Sequence, residues 1–140
     1  MRSTEETVRA LYDAFLAGDK DAMLAEMVDD VELRFLGARV LRGQEEARGF
    51  LDCQEGALRD VRFELMEIIV DGDRAAGLWQ ETATRADGSP WSNHGVDVFQ
   101  VRDGKVAVLH ENNDVREFYG LLPASYRAVP SSTTDGPPPK

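Results

Sequence analysis

The sequence predicts an α+β domain: a cone-shaped, curved, antiparallel (mixed) sheet, packed by three N-terminal helices around an internal pocket. Two observations predict it. Up to about residue 60 the apolar residues mostly recur at helical spacing, and from residue 61 onward they alternate. Turn signals built on Asp-Gly separate the alternating runs, which makes hairpins rather than crossovers. Helices gathered at one end of the chain can cover only one face of such a sheet, and a bent sheet closed by helices leaves a hollow that suits a small ligand.

Residues 5–17 place Val8, Leu11, Tyr12, Phe15 and Leu16 on one stripe, with Ser3 or Thr4 as cap and Gly18 as stop. Asp19 caps a second helix over 20–27, with Met23, Leu24 and Met27 inward. Residues 31–36 alternate as a half-buried strand, and Arg39–Leu41 is its short return. Gly43 opens a third helix over GQEEARGFLDCQEGALRD, whose Gly49 and Gly56 weaken it. Strands follow at 61–70, 74–86, 93–102 and 105–113, with hairpin turns at Asp71-Gly72-Asp73, Asp87-Gly88 and Asp103-Gly104. A short helix over 115–122 ends before Pro123. The folded domain is thus expected over 1–123 and a Pro/Ser/Thr-rich flexible tail over 124–140.

The 140 residues fit one domain, and 42% hydrophobic with 30% charged residues suits a packed core. The net charge of −10 argues against nucleic acid and anionic membrane surfaces, which need clustered cations. No apolar stretch is long enough to span a bilayer, and MRSTEETVRA has no signal-peptide core. The single cysteine, Cys53, excludes an internal disulfide; with no cation beside it, it reads as a buried structural thiol. A cytoplasmic location is expected. Neither HxH nor HExxH occurs, and there is no phosphate-binding glycine loop, so no metal and no cofactor is expected.

Several phrases carry a family resemblance: ALYDAFLAGDKDAM, VDDVELRF, LRGQEEARGF, and above all VDVFQVRDGKVAVLHENND followed by REFYGLLP. They resemble the nuclear transport factor 2-like superfamily, and within it the SnoaL-like proteins, whose relatives include polyketide cyclases, ketosteroid isomerases and limonene-epoxide-type hydrolases. The resemblance spans roughly residues 4–123. It implies a cavity in which a carboxylate or imidazole base works opposite a hydrogen-bond donor. Asp97 corresponds to the isomerases' protonated Asp, whereas Phe35 stands where their base would be and Leu11, beside Tyr12, where their Tyr would be. Asp114 matches the final Asp of the hydrolases and cyclases, ten residues after Gly104. The hydrolases' Arg-x-Asp is absent, and Leu109 and His110 replace the cyclases' His-Trp.

The candidate residues divide by strand parity. Counting by twos from Val106 puts Val108, His110, Asn112 and Asp114 on one face, which its valines mark as inner. Asp114 then suits a base oriented with His110, and equally a cap for the helix that follows. Asp97 shares a face with Phe99 and Val101, where burial would raise its pKa and let it donate a proton. Tyr12, Phe35, Trp79, Phe99 and Asn112 are expected against the ligand. His94, of opposite parity to Asp97, belongs to the surface, and Glu64, Glu67 and Glu81 to the convex face, Glu81 least securely because it shares parity with Trp79. The functional expectation is a cofactor-independent acid/base enzyme of cyclase, isomerase or epoxide-opening type. Its substrate would be an apolar cyclic or polyketide-like small molecule of secondary metabolism. The alternative is a non-catalytic ligand-binding or scaffold protein. The outer sheet face at Val96, Val98 and Gln100 suggests a homodimer.

Overall fold

The computed structural model describes residues 1–128. Its elements are α1 (Thr4–Leu16), α2 (Lys20–Ala25), β1 (Met27–Phe35), β2 (Leu41–Arg42), α3 (Gly43–Gln54), β3 (Leu58–Asp71), β4 (Arg74–Arg85), β5 (Pro90–Arg102), β6 (Lys105–Asn113) and α4 (Val115–Tyr119), with a 3-10 turn at Ala124–Tyr126. The six strands form one sheet in the order β2-β1-β6-β5-β4-β3. All neighbours are antiparallel except β1 and β6, which run parallel, so the sheet is mixed.

Local chemistry explains the element ends. Ser3 caps α1 with a full capping box: its hydroxyl accepts from Glu6 N, and the Glu6 carboxylate accepts from Ser3 N. Asp19 caps α2 through Ala22 N. Asp103 and Gly104 both take positive φ, 53° and 74°, as the two central residues of a type I′ hairpin require. The third helix is shorter than its sequence suggests. It ends at Gln54, Gly56 turns the chain in a left-handed conformation, and Leu58 already belongs to β3.

Strands of 14, 12 and 13 residues would make a wide flat sheet if they were regular. Bulges in β3, between Arg59 and Arg62 and between Leu65 and Glu67, and at Gln100/Val101 where β5 meets β6, bend it instead. The concave face receives α1 through Val8, Leu11 and Tyr12, and α3 through Ala47 and Phe50. Phe35 stacks on Phe50 at 4.6 Å, and Phe118 of α4 closes the group. Tyr126 packs edge-on against Phe50, Arg39 N donates to its carbonyl, and Ala38 pairs with Arg127. Residues 124–128 are therefore docked on the body, which corrects the expected start of the flexible tail; the rest of that expectation, residues 129–140, lies outside the described residues. Cys53 is exposed, not buried, because it faces away from the Ala47–Phe50 side of α3.

Gly95 marks the tightest point of the sheet. A Cβ there would collide with the Asn112 carbonyl of β6 and stand 2.9 Å from Trp79 Cζ2. The Trp79 ring thus lies over Gly95, its cross-strand partner. Gly95→Ala is expected to cost about 2–3 kcal/mol by overpacking against backbone that cannot yield; a thermal or urea melt within about 0.5 kcal/mol of wild type would refute this close approach.

Candidate functional site

The concave face and the helices enclose a cavity of about 460 Å³. Its opening is apolar, marked by the exposed rim residues Phe15, Leu16 and Val61. Deeper in, Tyr12, Phe63, Trp79 and Phe99 form a continuous aromatic wall, with Phe63 and Trp79 stacked at 5.6 Å and Tyr12 meeting Phe99 edge-on at 5.6 Å. The polar residues of the lining are Gln54, Glu81, Asn93, Asp97, Glu111 and Asn113 beside Tyr12.

Strand register brings the polar residues together. Asp97 on β5 lies opposite Gly77 on β4 and Glu111 on β6. Glu81 lies opposite Asn93, and Asn113 opposite Gly95. The bare Cα of Gly77 leaves room for the Tyr12 hydroxyl, which a Cβ would displace. That hydroxyl donates to Asp97 Oδ2 at 2.7 Å. Asp97 Oδ1 is buried without a partner. Trp79 Nε1 lies beside Asp97 and favours its anion, but outside direct hydrogen-bonding geometry. Asn113 Nδ2 donates to Glu111 at 2.9 Å, leaving its own buried Oδ1 unpaired. Asn93 Oδ1 accepts from His94 N and Asp114 N, so it anchors the end of β6.

Burial raises the pKa of all three carboxyls. Asp97 is pushed up to about 6, with the Tyr12 hydroxyl and the Trp79 N–H opposing the shift. Glu81 is pushed up to about 7 by burial and then by the Asp97 charge. Glu111 is held well above the ordinary carboxylate range by burial, then by Asp97 and Glu81. Glu111 is half-buried and lines the cavity. The Tyr12 phenol, buried and next to Asp97, stays protonated throughout the physiological range. Near pH 7, then, Asp97 is mostly an anion, Glu81 is close to half-protonated, and Glu111 is biased toward its protonated form.

The sequence-predicted residues fall into two groups. Tyr12, Phe35, Trp79, Phe99 and Asp97 all line the cavity. His110, Asn112 and Asp114 do not, and the face assigned to them is corrected. Next to the turn, Arg102 pairs with Lys105, and continuing that register would set His110 opposite Asp97. The bulge beside Val101 shifts the register by one residue, so Val106 and Ala107 are both buried and Leu109, Glu111 and Asn113 turn inward. His110 faces the opposite way, across from Val98. Asn112 contacts only the Val96 and His110 carbonyls, at 3.4 and 3.5 Å. Asp114 caps α4 through Arg116 N at 3.1 Å, and the Arg116 side chain holds its carboxyl below the ordinary range. Glu81 is corrected from the convex face to the cavity, as its parity with Trp79 signals, while Glu64 and Glu67 are exposed. Glu111 and Asn113 are missed by sequence reasoning altogether. Among the described residues no group of His, Cys, Asp and Glu is arranged to hold a metal ion, and no helix is long and apolar enough to cross a membrane.

Comparison with known proteins adds the family. The model of the SnoaL-like domain matches residues 8–109, well over half of the chain. The chain belongs to the SnoaL-like family. Solved structures agree with this SnoaL-like fold. A nuclear transport factor 2-like protein of unknown function from Burkholderia pseudomallei is 23% identical, with a TM-score of 0.77 over 89% of this chain and 100% of its own. TerC, crystallised with polyporic acid, is 24% identical at TM-score 0.75, covering 84% of this chain and 96% of its own. A candidate SnoaL-like polyketide cyclase from Jannaschia sp. CCS1 is 18% identical at TM-score 0.75, covering 86% and 92%. At these identities the likeness is one of fold. No curated protein gives a significant match to this SnoaL-like chain.

Proposed function

We propose that this SnoaL-like protein is a cofactor-independent acid/base enzyme acting on an apolar cyclic or polyketide-like small molecule. The observation that carries the reading is Glu81, a carboxyl with a pKa of about 7 that lines an aromatic cavity together with a second carboxyl, Glu111, which burial biases toward its protonated form. Two carboxyls whose environments push their proton affinities apart can serve as base and acid in one site. Glu81 takes the proton from a carbon or hydroxyl of the substrate. Glu111, held by Asn113, donates to the oxygen on which charge develops. Asp97 has a different part from the neutral donor suggested by sequence. It is the fixed anion, anchored by Tyr12, that keeps both glutamates ready to hold protons. Isomerisation, ring closure and epoxide opening all need such a pair.

The test is turnover. Enolisable cyclic ketones, linear poly-β-ketones and cyclic epoxides are incubated with the protein in D2O and followed by NMR. Deuterium incorporation, cyclisation or ring opening above the uncatalysed rate is expected for at least one class. Binding without any reaction would leave a ligand-binding protein of the same fold instead.

The reading includes a homodimer through the outer sheet face. Register places Ile69, Ala76 and Val98 side by side there, with Leu78 and Val96 in the next row, and Ile69 is 54% exposed. Light scattering at micromolar concentration is expected to give twice the chain mass; a monomer would remove this part.

A further inference from the structure

The cavity's charge is one-sided. Three carboxyl groups line it, and among the described residues no Lys, Arg or His does. Its unpaired buried acceptors repeat the imbalance. Asp97, 5% exposed, has Oδ1 without a donor, and Asn113 Oδ1 also has none. A buried anion with no cation near it is costly, so a ligand that brings a positive charge into the cavity gains most here. Trp79 Nε1 is also unpaired, but it is a donor directed beside the Asp97 anion and adds no positive charge. The walls supply the second requirement. The Tyr12 and Trp79 rings lie beside Asp97 with Phe63 packed against both, and ring faces attract cations.

We propose that the cavity selects a cationic ligand, a protonated amine carried on an apolar ring skeleton. The ammonium group lies among the carboxyls of Glu81, Asp97 and Glu111, and the skeleton fills the space between the Trp79 wall and the mouth. This rests on the cavity being the ligand site proposed above and names the class of molecule that it takes; it does not require turnover. It also fixes a sign. The groups facing the ammonium are Tyr12 from α1, Glu81 from β4, Asp97 from β5 and Glu111 from β6. Tyr12 stays protonated, so binding of a cation draws protons off the three carboxyls, and affinity rises with pH until the amine itself titrates.

Three probes of one shape test this on the full chain at pH 7.5: 1-adamantylamine, 1-adamantanol and adamantane-1-carboxylate. Both tryptophans of the chain, Trp79 and Trp91, line the cavity, so their fluorescence reports occupancy, and calorimetry in buffers of different ionisation heat reports proton release. The amine should bind at least about tenfold more tightly than the alcohol, with the carboxylate weakest. Its binding should release protons and weaken between pH 8 and pH 5.5. Asp97→Asn should narrow the preference, and Glu111→Gln serves the same purpose if that variant does not fold. An alcohol or carboxylate bound as tightly as the amine, no proton release, or no binding of any probe would overturn the proposal. Amine preference without turnover of any substrate leaves it standing and removes the enzyme; turnover of a neutral ketone without amine preference does the reverse.

Discussion

Glu81→Gln should lower turnover by roughly 10²–10⁴-fold without lowering the melting temperature. Gln matches Glu in shape, so the cavity keeps its volume, and the substitution removes only the ability to accept a proton. The wild-type pH profile carries the same signature. A base with a pKa of about 7 should make kcat/KM rise as pH passes from 6 to 8. Asp97→Asn should move that rise to lower pH, because the Asp97 charge is the second cause of the Glu81 shift after burial. Full activity in Glu81→Gln, or a flat profile between pH 6 and 8, would remove Glu81 from the chemistry.

Stability should fall as pH rises from 5 to 8, the reverse of what exposed salt bridges produce. Glu81, Asp97 and Glu111 have folded-state pKa values above those of the unfolded chain. Their contribution is fully present below pH about 4, where both states are protonated, and is lost as pH rises through about 6 and about 7. A tenfold change in proton affinity is worth about 1.4 kcal/mol, so the raised carboxyls together cost the fold several kcal/mol across this range. Asp30, Asp87 and Asp114 work in the opposite direction: their lowered pKa values stabilise the fold above pH about 4 and stop doing so in acid. Melting temperature should therefore peak near pH 5. Glu111→Gln, which keeps an acceptor for Asn113 without a charge to bury, should flatten the decline and melt above wild type at pH 8. A melting temperature that is constant or rising from pH 5 to 8 would show that the trio is hydrated like surface carboxylates.

What could be read from the residues followed from how local the cause was. The Asp103-Gly104 hairpin and the Ser3 and Asp19 caps depend on a few adjacent residues, and the sequence places them correctly. The inward face of β5 was legible because Phe99 and Val101 flank Asp97. The face of β6 was not. One extra residue near Val106 inverts every position after it, and nothing in VAVLHENN announces where the strand will bulge. Strict alternation along β6 that turns His110 inward turns Glu111 outward, so the bulge alone hides the centre of the acidic cluster from the sequence. Cys53 differs for another reason: apolar neighbours in sequence do not make a buried face on a helix.

The only parallel contact in the sheet joins β1 to β6, with Leu33 beside Leu109 and Phe35 beside Glu111. A chain emerging from the ribosome can pair its first strand with β2 early, but the other edge of β1 stays open until nearly all of the domain has been synthesised. Glu111 arrives with that last strand, so the acidic cluster cannot assemble ahead of the barrier set by such distant partners. During synthesis, the greasy half of the hollow is the part exposed to chaperones and to neighbouring nascent chains.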